Sequence, residues 1–197
     1  PEQMSAFIEE VAACCDHVAA KRRSPKRIML SFDEWNVWYH SHGDRQRLGI
    51  RDWVEAPPIN EDIYSMEDAL VVGGMLISLI NHADRVRIGC LAQIVNVIAA
   101  VMTENRGPAW RQTIYWPLYH ASNLARGTVL RQVVESPTYA CRELRAAPYL
   151  TSAAVLDPHH DTLTVLAVNR HLAETCDLRA ELQGLGRFAV VSWTVLR

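Results

Sequence analysis

Apolar residues recur at three- and four-residue steps near the start of the chain: Phe7, Ile8, Val11, Ala12, Cys15 and Val18. That period predicts a helix over residues 3–22. Ser24-Pro25 ends it, because proline removes a donor and restricts the residue before it. The run Ile28-Met29-Leu30 then predicts a short buried strand over 28–33. A helix followed by a buried strand is half of a (β/α) repeat.

Residues 40–64 hold Gly43, Gly49, Pro57 and Pro58 and no sustained period. A loop this long in a compact domain is usually functional. Trp53 and Glu55-Ala56-Pro57-Pro58 are candidates for a pocket wall, with a packed surface excursion as the alternative. Ser65, with Asp68 three residues on, has the form of a capping box. The helix it opens runs through Leu70, Val71, Met75, Leu76 and Leu79 to His82. Gly73-Gly74 lowers helix propensity but allows close packing against a sheet. Val86–Ala92 is the next strand, with Gln93 at its end and Asn96 shortly after. Residues 100–112 are read as a loop turning at Gly107-Pro108, with Trp110 either on a rim or plugging a barrel end. Residues 112–125 form a further helix, stopped by Gly127.

Beyond Gly127 the rhythm changes. Thr128–Val134, Leu150–Leu156, Thr162–Asn169 and Phe188–Leu196 alternate and are rich in β-branched residues, so each predicts a strand. Asp157-Pro158-His159-His160-Asp161 joins two of them as a hairpin loop. Its histidine pair reads as turn chemistry rather than as a metal site. The whole pattern is α/β: (β/α) units of barrel type over 1–126, then an all-β sandwich over 127–197. A complete (β/α)8 barrel needs about 250 residues, more than residues 1–126 provide.

The chemistry concentrates in Phe32-Asp33-Glu34-Trp35-Asn36-Val37-Trp38-Tyr39. Two carboxylates end a strand and aromatic residues follow at once. Barrel enzymes gather their reactive groups at the C-terminal strand ends. Aromatic rings suit the C–H faces of a sugar, and a carboxylate there can attack an anomeric carbon. The plain alternative is a solvated strand end or a helix cap.

That segment resembles the nucleophile motif of the α-L-arabinofuranosidases of glycoside hydrolase family 51. His82–Ala99 and Gly107–Ser122 resemble the same family in the same order. The resemblance covers most of residues 1–135 and weakens afterwards. It implies that the chain is the C-terminal part of a longer enzyme: the C-terminal part of a (β/α)8 barrel over 1–126, followed by an incomplete, jelly-roll-like β-sandwich over 127–197. It also implies a retaining glycosidase that releases terminal α-L-arabinofuranosyl residues from oligo- and polysaccharides. Glu34 aligns with the family nucleophile, Trp38 with an aromatic lining the sugar site, and Gln93 with a glutamine contacting the sugar ring. Asn96 is a further candidate for substrate binding, with loop capping as its alternative. Asp33 is read as facing away from Glu34, since neighbours on a strand alternate. Trp35 is open between site and core.

Retaining glycosidases hold two carboxyl groups about 5–5.5 Å apart. The family's acid/base glutamate follows an asparagine on an earlier strand. Asn60-Glu61, the one such pair here, lies in the long loop and is rejected. The rest of the same enzyme is therefore the expected partner. Another glycone (a xyloside or a glucan) and a non-catalytic carbohydrate-binding fragment stay open as alternatives.

Composition bounds the remaining classes. A net charge of −2 and 49% hydrophobic residues give no electrostatic footprint for nucleic acid or an acidic membrane. No run of 18 apolar residues occurs. Cys14, Cys15, Cys90, Cys141 and Cys176 form an odd set with two adjacent, a poor disulfide framework without zinc spacing. Reduced thiols in a cytoplasmic setting are expected. The chemistry needs no metal or organic cofactor, and the resemblance implies a homo-oligomer, often a hexamer.

Overall fold

The structure is a computed structural model, and it describes residues 1–38 and 61–197. Two connected parts make up the fold. In the first, α1 (Glu2–Lys21) leads to β1 (Leu30–Trp35), α2 (Met66–Asn81) and β2 (Val86–Leu91). β1 and β2 pair in parallel, so α2 lies in the connection between parallel strands, as the helical periodicity requires. A short antiparallel hairpin follows, β3 (Val101–Thr103) with β4 (Ala109–Arg111), and then α3 (Tyr115–Leu124).

In the second part, β5 (Thr128–Leu130), β8 (Leu150–Asp157) and β9 (Thr162–Asn169) form an antiparallel sheet in the order β5-β8-β9. Two short strands, β6 (Thr138–Tyr139) and β7 (Ala147–Pro148), pair with each other.

Local chemistry accounts for the boundaries. Ser65 caps α2: the Asp68 N–H donates to its hydroxyl, and Asp68 Oδ2 accepts from the Ser65 N–H at 2.6 Å. Two of the backbone donors left free at that helix start are thereby satisfied. At the opposite end of the β1–β2 pair, Arg85 is buried and reaches Asp16 Oδ2 at 2.6 Å and the Ile28 carbonyl at 3.1 Å. It ties α1, the entry to β1 and the entry to β2 together.

One core runs between the helices and the parallel strands. Ile8, Trp35, Val72, Leu76, Leu79 and Val86 are buried in it. Trp35 is therefore a core residue. A second cluster, Ile77, Ala153 and Val168, joins α2 directly to β8 and β9. Gly73 permits this close approach, because a Cβ there would come within 3.3 Å of Val168 Cγ2. Asn81 Nδ2 also donates to the Ser152 carbonyl at 2.9 Å. Arg170 holds Glu2 through two hydrogen bonds, of 2.9 and 2.5 Å. Burial alone would raise the Glu2 carboxyl's pKa, but the Arg170 hydrogen bonds and charge outweigh it and hold the group below its ordinary value.

Four expectations are corrected. Residues 100–112 are not an irregular loop: β3 and β4 flank a turn in which the Gly107 N–H donates to the Glu104 carbonyl at 3.0 Å. Trp110 is 43% exposed on that hairpin and plugs nothing among the described residues. Thr128–Val134 is a strand only through Leu130. Phe188–Leu196 forms no strand; Val190, Val191 and Trp193 are exposed, and no backbone hydrogen bond pairs the segment among the described residues. Alternation makes a segment fit for a sheet, but ladder hydrogen bonds need a neighbouring strand. The Asp157–Asp161 segment is the expected turn. Asp157 accepts from the His159 N–H at 2.9 Å and lies 2.6 Å from His160 Nδ1, and the hydrogen bond to His160 holds its carboxyl below the ordinary value.

Candidate active site

The C-terminal ends of β1 and β2 lie side by side, with Trp35 opposite Leu91. Glu34 stands one residue before that pair on β1, and Gln93 two residues after it beyond β2. Between the Phe32–Gly89 and Trp35–Leu91 pairs, β1 takes three steps while β2 takes two. This is a bulge, and it changes the facing of the chain. Phe32 and Trp35 would point to opposite sides of a regular strand. With the extra residue, both pack on the same helix-side core.

Asp33 and Glu34 occupy the bulge and are both exposed. Strict alternation therefore does not separate them, contrary to the expectation from sequence. The Glu34 carboxylate makes no ion pair or hydrogen bond among the described residues, so it is available to an incoming group. Trp38 is 59% exposed just beyond it. Gln93 and Ile94 are exposed at the start of the segment after β2.

Asn96 is placed differently. Its Oδ1 accepts from the Thr103 N–H at 2.7 Å, and its Nδ2 donates to Thr103 Oγ1 at 3.0 Å. Its backbone has φ +64°, a region asparagine tolerates better than most residues. The geometry takes up the loop-capping alternative.

Asn36, singled out by no sequence argument, lies at the centre of this strand end. Its Nδ2 is 2.5 Å from the Ala92 carbonyl, 2.5 Å from the Ile98 carbonyl and 3.3 Å from the Tyr64 hydroxyl. Its Oδ1 accepts from the Val37 N–H at 2.8 Å. The Tyr64 hydroxyl donates to the Val37 carbonyl at 2.9 Å. Gln112, also buried, accepts from the Tyr64 N–H at 3.0 Å and donates to the Asp62 and Ala99 carbonyls at 3.0 and 2.8 Å. Long-range amide networks of this kind carry no local sequence signature.

A cavity of about 220 Å³ lies between α1 and β1, lined by Phe7, Ile8, Val11, Leu30, Ser31 and Phe32. It is apolar and contains neither Glu34 nor Gln93. Trp53, Glu55 and the two prolines after Ala56 lie outside the described residues, as does Asn60. All five cysteines are free thiols. Among the described residues, no helix is long and apolar enough to cross a membrane.

Comparison with known proteins places this strand end in a family. The profile described as Alpha-L-arabinofuranosidase C-terminal domain matches residues 33–197, on both sides of Gly127. The chain is 50% identical over 194 residues to an intracellular exo-alpha-(1->5)-L-arabinofuranosidase of Halalkalibacterium halodurans, covering 98% of this chain and 38% of that one. It is 47% identical over 190 residues to an intracellular exo-alpha-(1->5)-L-arabinofuranosidase of Bacillus subtilis, covering 96% and 37%. The chain thus spans well under half the length of these curated relatives. A solved structure of a family 51 alpha-L-arabinofuranosidase from Bifidobacterium longum superposes with a TM-score of 0.78 at 37% identity, covering 86% of this chain and 34% of that one. With its strand-end carboxylates inside the matched span, the chain belongs to the α-L-arabinofuranosidase C-terminal domain family, among the family 51 arabinofuranosidases.

Proposed function

We propose that this chain is the nucleophile-bearing C-terminal portion of a retaining α-L-arabinofuranosidase, acting on terminal α-L-arabinofuranosyl residues of oligo- and polysaccharides. The observation that carries the reading is the exposed Glu34, without an ion pair or hydrogen bond among the described residues, at the C-terminal end of a parallel strand, beside the strand end that leads into Gln93. Reactive groups of (β/α) enzymes collect at that end. Residues 1–126 are then the closing part of a catalytic barrel and residues 127–197 part of a β-sandwich.

The reaction is a double displacement. A Glu34 oxygen attacks the anomeric carbon while the bond to the leaving oxygen breaks, and an acid/base carboxyl protonates that oxygen. The resulting glycosyl ester is attacked by water, whose proton returns to the same acid/base, and Glu34 leaves as carboxylate. The acid/base comes from the rest of the enzyme. Gln93 offers one donor group and one acceptor to sugar hydroxyls. Trp38 presents an aromatic face to the ring. Asn96 serves the substrate through the loop it caps. Assembly as a homo-oligomer and a cytoplasmic location, after the relatives named intracellular, complete the proposal.

Two readings of one digest test it. The complete gene product is given the 4-nitrophenyl glycosides of α-L-arabinofuranose and β-D-xylopyranose, and the first-formed anomer is followed by NMR. Preferential cleavage of the arabinofuranoside, with α-arabinose appearing first, is expected. A preference for the xyloside, or β-arabinose appearing first, rejects the reading.

A further inference from the structure

We infer that Asn36 is a positioning residue for this active site: it fixes the backbone immediately before Gln93 against the strand that carries Glu34. The inference rests on the roles proposed above for Glu34 and Gln93.

Proton counting gives the first argument. An asparagine amide nitrogen has two hydrogens. Two carbonyls lie 2.5 Å from Nδ2, those of Ala92 and Ile98, so these take both hydrogens, and the Tyr64 hydroxyl at 3.3 Å is a weaker third neighbour. Oδ1 is engaged by the Val37 N–H. Asn36 is half-buried, and both of its hydrogens and one of its two acceptor sites are spent on the protein. No donor is left for a sugar.

What those two carbonyls belong to gives the second argument. The Ala92 carbonyl is one half of the peptide whose nitrogen is that of Gln93. Holding it fixes where the Gln93 side chain starts. Ile98 has φ +41°, a region that β-branched residues rarely adopt, and it is buried. A conformation of that kind persists only where surrounding contacts hold it. One amide thus grips both ends of the segment from Ala92 to Ile98, which contains Gln93, and does so from a position two residues after Glu34. The Ala92 N–H donates to the Trp35 carbonyl at 3.0 Å, a second tie between the same two strand ends. Tyr64 braces the arrangement by donating to the Val37 carbonyl.

A double-mutant cycle on the complete gene product tests the inference, read as kcat/KM on 4-nitrophenyl α-L-arabinofuranoside with Tm in parallel. Asn36→Ala is expected to lower kcat/KM by about 100-fold, the scale of a roughly 1 Å misplacement. In a Gln93→Ala background the same substitution is expected to cost about threefold or less, since the group it positions is gone. An equal loss in both backgrounds overturns the inference, because a general structural defect would not depend on Gln93. If Asn36→Ala does not fold, Tyr64→Phe replaces it, keeping the ring and removing the brace. Its smaller loss is expected to depend on Gln93 in the same way, and independence overturns the inference. Glu34→Ala and Gln93→Ala alone separate the two levels. Retention of full activity in either rejects the site reading and the inference with it. Loss in both, with additive Asn36 effects, rejects the inference alone.

Discussion

The indole of Trp35 lies over Gly89 of the neighbouring strand. A Cβ built on Gly89 would stand 3.8 Å from Trp35 Nε1 and 3.1 Å from Leu79 Cδ1. The absent side chain is what lets α2 and Trp35 close over β2. Burial of Trp35 is in turn what leaves Asp33 and Glu34 outward in the bulge.

Gly89→Val therefore overfills a packed core. It is expected to lower the unfolding free energy by about 1–3 kcal/mol. Urea unfolding of the complete gene product checks this as a lower midpoint at unchanged slope. An unchanged midpoint would mean that Trp35 and Leu79 have room the structure does not show.

Gln93 and Asn96 should fail in different ways. Gln93 is exposed, so Gln93→Ala is expected to reduce kcat/KM with little change in Tm. Asn96 holds Thr103 through its side chain, so Asn96→Ala is expected to cost about 1 kcal/mol of stability, as the loss of a local cap does. Thermal melts and steady-state kinetics on the same preparations decide it. The reverse pattern would exchange the two roles.

The Glu2–Arg170 pair gives a pH signature. Glu2 is held below its ordinary pKa in the folded protein. Its contribution is thus fully present above the unfolded value, about 4.3, and is lost as the pH falls through the lower folded value. Glu2→Gln is expected to melt below the parent protein at neutral pH, and the gap is expected to narrow steadily below about pH 4.3. A gap that stays constant down to pH 2 would show that Glu2 contributes no charge-dependent stability.

How much of this was legible in the sequence depended on the range of the interactions. The Ser65–Asp68 capping box is complete within four residues, so its spacing alone predicted it. The periodicity of α1 and the paired strands at Leu150 and Thr162 were readable for the same reason. The bulge at Asp33-Glu34 was not, because it exists only as a mismatch of register with β2. Alternation from Phe188 to Leu196 was misleading, since no neighbour in the described structure pairs with that segment. The importance of Asn36 was hidden because its acceptors lie 56 and 62 residues away. Preference for Glu34 over Asp33 rests on the family resemblance, because local chemistry treats the two alike: both are carboxylates exposed in the bulge.

The most direct measurement is azide rescue of Glu34→Ala in the complete gene product. The substitution is expected to abolish turnover of an activated aryl α-L-arabinofuranoside by at least about 10⁴-fold. Azide, small enough to enter the space of the missing carboxylate, is expected to restore cleavage and to give the inverted product, β-L-arabinofuranosyl azide. Full activity without azide, or rescue that yields the α-azide, would contradict a nucleophile at position 34.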